Sequence, residues 1–343
     1  MWLVIQAAIL GASGYTGAEL VRILAGHPDF EVSAVSGDSK SGLSFGEVYP
    51  SLKHLNLPKL CTVEDINFGK LDVDFCALPH TKSANIIKDL PKHIKVIDLS
   101  ADFRLADVNK YEEWYGIKHP APDLQIQAAY GLTEFYRSEI KNSRIVAGTG
   151  CNAATGMYPL IPLLKENLID SDEIIINLAT GVSGAGRKAK EEIIYCEVSE
   201  GYTPYNVSRH RHLAEFDQEF SKAAGRPVRV TFTPHLLPQN RGVLATIYVK
   251  GDLQDIQNAL EKRYIGEEFI SVMSPNTVIS TRHVRGSNFC HIGVCESSTN
   301  DVVVIFSSLD NLIKGSSGQA IQNANLLFGL KENSGLLASP LFP

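Results

Sequence analysis

Residues Leu3 to Leu10 form an almost unbroken apolar run, the pattern of a strand buried on both faces. The run breaks into Gly11-Ala12-Ser13-Gly14-Tyr15-Thr16-Gly17, after which apolar residues return at helical spacing through Ala18 to Leu24. Strand patterns recur at 30–35, 73–80 and 95–100, and each ends in polar or turn residues. The first half therefore predicts a Rossmann-type parallel sheet, whose ligands gather along the C-terminal edge of the strands. Ile145 to Ala147 reads as the end of another buried strand, followed by a glycine turn and a helix from Asn152 to Leu164.

Beyond that point the pattern changes. Strand-like runs at 173–180, 228–233, 242–249 and 302–307, several of them alternating, are separated by helical patterns at 208–224 and 253–264. This predicts an α+β domain with a mostly antiparallel sheet. The stretch 309–329 starts as a glycine-rich loop and continues as a helix that can return to the first domain. The expected fold class is α/β, with residues 1–150 and 312–343 as a Rossmann-type dinucleotide-binding domain and 151–311 as an α+β catalytic and dimerisation domain.

Composition narrows the class of partner. The chain has 343 residues, 44% hydrophobic and 20% charged, with a formal charge of -6, so it offers no basic face for nucleic acid and no polybasic membrane anchor. Met1 to Leu10 lacks the basic start of a signal peptide, and no run of about 18 apolar residues is present to span a bilayer. The expectation is a cytoplasmic protein acting on a small molecule. Six cysteines, at 61, 76, 151, 196, 290 and 295, include no CxxC pair and no Cys/His set at zinc spacing, so no metal is expected.

The chemistry concentrates at Cys151, in Gly148-Thr149-Gly150-Cys151-Asn152. A thiol at a helix N-terminus feels the positive end of the helix dipole, which favours the thiolate, although a cysteine taken in isolation reads first as a small core residue. Gly11 to Gly17 sits where a dinucleotide fingerprint belongs, between strand and helix, in the spacing GxxGxxG. Gly11, Ser13, Gly14, Tyr15, Thr16 and Gly17 are the candidate pyrophosphate contacts. Ser39 and Lys40, after the second strand, can hold a 2′-phosphate, whereas Asp38 suits a free ribose hydroxyl, so NADP(H) is favoured over NAD. Ser183 and Gly184, in a second glycine-rich loop, and Asn325 complete the cofactor candidates. Arg104 and Arg211 are candidate anion clamps for substrate carboxylate or phosphate. His210 and His212 are two apart; on a helix that spacing would put them on different faces, so one of them at most is expected to meet Cys151.

Along nearly the whole chain these residues resemble the N-acetyl-gamma-glutamyl-phosphate reductases of the aspartate-semialdehyde dehydrogenase superfamily. The resemblance is carried by GASGYTGAEL from Gly11, SADFR from Ser100, AAYGLTE from Ala128, Gly150-Cys151, GVSGAGR from Gly181, HRH from His210, FTPHLLPQNRG from Phe232 and GQAIQNAN from Gly318. It implies an NADP-dependent acyl-phosphate reductase of arginine biosynthesis, with Cys151 as nucleophile, His210 as base, His212 near the substrate and the glycine turn on NADP. Separately, the large, partly alternating sheet of the second domain can bury one face in a homodimer or homotetramer. One departure stands out. Where the family pattern has tyrosine, proline, threonine and alanine after the cysteine, this chain has Asn152-Ala153-Ala154-Thr155. Asn152 is similar to the residue in related enzymes that reduce carrier-protein-linked aminoadipyl or glutamyl phosphate, which makes it a candidate substrate contact and such a reductase the alternative. A non-catalytic NADP-sensing regulator is the reading from another class.

Overall fold

The computed structural model describes residues 4–299 and 301–342. It divides into two compact units, Met1–Thr149 with Ser316–Leu337 and Gly150–Gly315 with Ala338–Pro343. The last residues were expected with the first unit. They group with the second because the Leu341 N–H donates to the Arg285 carbonyl at 2.8 Å.

The first unit is a six-stranded sheet of β1 (Ile5–Leu10), β2 (Phe30–Val35), β3 (Val73–Cys76), β4 (Lys95–Asp98), β5 (Ala128–Tyr130) and β6 (Ile145–Ala147). Its order is β2-β1-β3-β4-β6-β5, and every pairing is parallel. The unbroken apolar runs follow from this. Ala7, Ala8, Ile9 and Leu10 are all fully buried, as a strand covered on both faces requires. The expected start of β1 at Leu3 lies outside the described residues. One side of the sheet packs Leu10, Cys76, Val96, Ile145 and Ala147 against Ile87, Phe103 and their neighbours. The helix Tyr15–Leu24 leaves the end of β1, and the helix Gly318–Leu327 returns to this unit and is buried from Gly318 to Leu326. Strand order reverses beside β1, with β2 on one side and β3 on the other, which is the position where open parallel sheets bind ligands.

The second unit is a mixed sheet of β7 (Ile175–Gly181), β8 (Thr203–Pro204), β9 (Thr231–Leu237), β10 (Val243–Lys250), β11 (Ile270–Val272), β12 (Cys290–Glu296) and β13 (Val302–Leu309), in the order β11-β12-β13-β10-β7-β9-β8. Two pairings, β11 with β12 and β7 with β9, are parallel; the other four are antiparallel. One face packs on a central helix, Cys151–Lys165, in which every residue from Asn152 to Leu164 is buried. A helix apolar all round belongs in an interior. Pro159 and Pro162 lie inside it, and Pro162 cannot supply the N–H that would bond Tyr158. The Tyr264 hydroxyl donates to that Tyr158 carbonyl instead, at 2.5 Å.

Candidate active site

Cys151 is the first residue of the central helix, with Gly150 as N-cap. No side chain caps this end from within the turn; the Gly150 N–H is met by Oε1 of Glu215 at 3.0 Å. Glu215 comes from the next helix, His212–Ala224, and is 1% exposed. His212, one turn before it, brings Nε2 to 3.9 Å from the other carboxylate oxygen. The imidazole fills the space where a side chain on residue 150 would sit, since a Cβ there would lie 2.3 Å from His212 Nε2. Gly150 is required by this close approach rather than by an unusual backbone angle.

His210 precedes the helix, and this undoes the expectation that the two histidines diverge. The helix starts at His212, so helical spacing does not apply between them, and their rings meet edge to face with centroids 4.6 Å apart. The His212 backbone N–H donates to His210 Nδ1 at 3.1 Å. The neutral His210 ring therefore carries its proton on Nε2. Burial, reinforced by the charge of the neighbouring Arg211, pushes the His210 pKa down to about 4, so the ring is uncharged at neutral pH.

Tyr205 was not foreseen. Its ring packs against His210 at 5.5 Å, and its hydroxyl accepts from Asn152 Nδ2 at 3.3 Å. Burial pushes the phenol up to about 12; the Asn152 hydrogen bond opposes this, and nearby Cys151 adds to it. Asn152 was expected to touch substrate. Instead it is 2% exposed, and its Oδ1 accepts from the Cys151 thiol at 3.5 Å. Asn152 is the second residue of the helix that Cys151 opens, and its side chain turns back along the helix into the protein.

The first unit builds the expected glycine turn. Gly11 takes a positive φ of 79°, and a Cβ on Gly17 would stand 2.4 Å from the Gly11 carbonyl oxygen, so the helix Tyr15–Leu24 starts tight against the end of β1. The Gly14 N–H closes on the Gly11 carbonyl at 3.0 Å, and the Tyr49 hydroxyl holds the Ser13 carbonyl at 2.8 Å. First-turn N–H groups of a helix have no acceptor within it, which makes Tyr15, Thr16 and Gly17 a donor set of the kind that binds pyrophosphate. Ser39 and Lys40 are exposed on a short 3-10 turn directly after β2.

Two expected positions, Arg104 and Asn325, are engaged within the protein. The Arg104 guanidinium is 6% exposed and bonds backbone carbonyls, Nε to Gly148 at 2.7 Å and Nη2 to Leu99 at 3.2 Å. It braces the turn after β6 before it can clamp an anion. Asn325 is fully buried: Oδ1 meets His27 Nε2 at 3.1 Å, and Nδ2 donates to the carbonyls of Glu332 and Ser334, each at 3.0 Å. Its amide pins the tail of the unit and is not open to a cofactor. Ser183 and Gly184 lie on a 3-10 turn after β7, where the Ser183 hydroxyl accepts from Asn311 at 2.9 Å. Arg211 is exposed beside His210. Of the residues missed, Glu215 carried a usable signal, an acid three places after His212 in a helical pattern.

Comparison with known proteins fits this geometry. Residues 6–143 match the semialdehyde dehydrogenase NAD binding domain and residues 151–311 the semialdehyde dehydrogenase dimerisation domain. The N-acetyl-gamma-glutamyl-phosphate reductase of Cereibacter sphaeroides is 57% identical over 342 residues, covering 99% of this chain and 100% of the relative. The protein of the same name from Roseobacter denitrificans is 56% identical over 337 residues, 98% of each chain. Among solved structures, aspartate semialdehyde dehydrogenase II of Vibrio cholerae complexed with ASA has a TM-score of 0.71 at 17% identity, over 95% of this chain and 98% of that one. Aspartate semialdehyde dehydrogenase of Candida albicans with NADP has a TM-score of 0.65 at 18% identity, over 95% and 98%. At such identities the structural likeness speaks for the fold. With both domains matched in order and more than half of its residues shared with full-length relatives, the chain belongs to the N-acetyl-gamma-glutamyl-phosphate reductase family of the semialdehyde dehydrogenases.

Proposed function

We propose that the protein reduces N-acetyl-gamma-glutamyl phosphate to N-acetylglutamate 5-semialdehyde and phosphate with NADPH, in the cytoplasm, as a step of arginine biosynthesis. The observation that carries this reading is the position of Cys151: first residue of a buried helix, with Glu215 on the preceding N–H and His210, His212 and Tyr205 gathered on the same turn. The glycine turn and the first-turn donors of Tyr15, Thr16 and Gly17 fit a dinucleotide pyrophosphate, and Ser39 and Lys40 suit a 2′-phosphate. Bound NADPH supplies the hydride. Ser183 and Gly184 remain candidates for the nicotinamide end, and Arg104, Arg211 and His212 for the anionic groups of the substrate.

The residues divide the reaction into two easier steps. Cys151 enters as the thiolate favoured by the helix N-terminus and attacks the acyl carbon. The carbon–oxygen bond to phosphate breaks, leaving a thioester, and phosphate takes a proton from solvent. The thioester carbon is the one to which a hydride from bound NADPH would be delivered, and Cys151 would then leave as the thiolate while the semialdehyde forms. The His210 tautomer suits it to donate from Nε2 to the acyl oxygen while charge builds there. That hydrogen bond can contribute about 10²–10³-fold, the scale of one oxyanion-hole donor. Asn152, buried against Cys151 and Tyr205, gives no ground for a carrier-linked substrate.

Self-association is supported by the second sheet. The face turned away from the central helix carries half-exposed Leu244, Thr246, Val304, Phe306 and Cys295 with exposed Tyr248, an apolar surface across β12, β13 and β10 suited to mating with a second copy. The enzymatic reading is tested with purified protein, NADP, phosphate and N-acetylglutamate semialdehyde between about pH 7 and 9.5. NADPH forms with the native chain and not with Cys151→Ser; no NADPH at any pH, or full activity in Cys151→Ser, overturns it.

A further inference from the structure

The side chain of Asn152 lies between the nucleophile and a phenol, and this placement does more than fill space. Its Oδ1 accepts from the Cys151 Sγ–H at 3.5 Å, while its Nδ2 donates to the Tyr205 hydroxyl at 3.3 Å. A carbonyl facing the sulfur suits the thiol, because the thiol has a proton to give. It opposes the thiolate, which presents only lone pairs. The reacting form therefore needs a donor at the place where the resting structure has an acceptor.

We propose that Asn152 is a hydrogen-bond switch for Cys151, with Tyr205 as the partner that lets it turn. When the thiol loses its proton, a half-turn of the amide about Cβ–Cγ brings Nδ2 to the sulfur and Oδ1 to the phenol. Tyr205 changes from acceptor to donor, which a hydroxyl can do by rotating its O–H bond. Two hydrogen bonds exist before and two after. No charge moves through the relay and no bond to carbon is made or broken; the thiol proton leaves to solvent. Tyr205 is held protonated by its burial, so the donor is available throughout the neutral range. Asn152 is thus a residue acting on the reacting atom, and Tyr205 a positioning residue acting through it.

The arrangement explains why an amide stands directly after the cysteine. An apolar side chain there could not follow the change in the sulfur, and an acid would repel the thiolate. Among the described residues, the charged and titratable groups near the turn include His210, Arg211, His212 and Glu215, from the segment entering the helix His212–Ala224, and Lys314, whose neighbour Gly315 packs against Cys151. All of these stay in place in the variants below.

The proposal rests on Cys151 being the nucleophile but can be tested without substrate. The rate of Cys151 alkylation by iodoacetamide, followed across pH by mass spectrometry of its own peptide, reports the thiolate fraction and separates it from exposed Cys196. Tyr205→Phe removes the hydroxyl alone, and Asn152→Leu removes the amide at similar volume. Each should raise the apparent thiol pKa by about one unit, slowing alkylation about tenfold at neutral pH. The double variant should show no more than the larger single shift, because both act through one relay. Profiles that superimpose on the native one, or single shifts that add, overturn the switch. If Asn152→Leu does not fold, Tyr205→Phe decides alone. A shifted thiol pKa in a chain without reductase activity would instead sink the proposed function and leave the switch standing.

Discussion

The pH dependence of stability tests the environment assigned to His210. Its folded-state pKa of about 4 lies below the ordinary 6.5, chiefly through burial and secondarily through Arg211. Between these values the unfolded chain binds a proton that the folded chain does not, so stability falls as pH drops through 6.5 towards 4. Above 6.5 the ring is neutral in both states and the effect vanishes. At about 1.4 kcal/mol per unit, the loss from this one group reaches about 2 kcal/mol at pH 5 and about 3 kcal/mol at pH 4. His210→Asn removes the titration and keeps a polar side chain. Urea unfolding of both proteins from about pH 4.5 to 8 gives the assay, and the readout is the difference in slope rather than the absolute stability. His27, His119 and His291 are also lowered by burial, but they are common to both proteins and cancel. The native protein should lose about 2 kcal/mol more than the variant on going from pH 8 to 5. Parallel curves would refute the buried, neutral His210, and with it the donor role given to its Nε2. In kinetics, the same environment predicts that His210 contributes no ionisation near pH 6.5 to kcat/KM.

Two further outcomes follow from named contacts. Glu215→Ala leaves the buried Gly150 N–H without its carboxylate and should cost about 1–3 kcal/mol in urea unfolding together with most of the turnover, whereas Glu215→Gln, which still offers a carbonyl oxygen, should recover most of the stability. An Ala variant as stable as the native chain would show that this bond does not hold the turn. Phe306→Asp, on the apolar sheet face opposite Thr246 and Gly293, should lower the mass measured by light scattering to that of one chain if this face joins copies. An unchanged oligomer would place the contact elsewhere.

Much of the fold was legible because burial leaves a mark on composition. A strand covered on both faces is made mostly of apolar residues, so β1, β3 and β4 were visible as runs, and alternating residues marked β10. Short elements left weaker marks: β11 has three residues and β8 two, too few for a period. Two acids inside these runs left no mark of their own. Asp74 and Asp98 are fully buried within β3 and β4, where burial pushes both carboxyls up, Asp98 to about 7.

Sequence by itself determined the family, the glycine turn and the place of Cys151 at a helix start, because each depends on local order: small residues between strand and helix, and a thiol on the first residue of a helix. The hydrogen-bond partners of Asn152, Arg104 and Asn325 came only from the tertiary structure. All three look from the sequence like polar groups awaiting a ligand. In the fold they are buried, and a buried polar group must find its hydrogen bonds within the protein. Asn152 finds them on Cys151 and Tyr205, Arg104 on the carbonyls of Leu99 and Gly148, and Asn325 on His27 and the tail. The meeting of His210 with His212 was settled in the same way, by where the helix begins: at His212, one residue too late for helical spacing to separate the two rings.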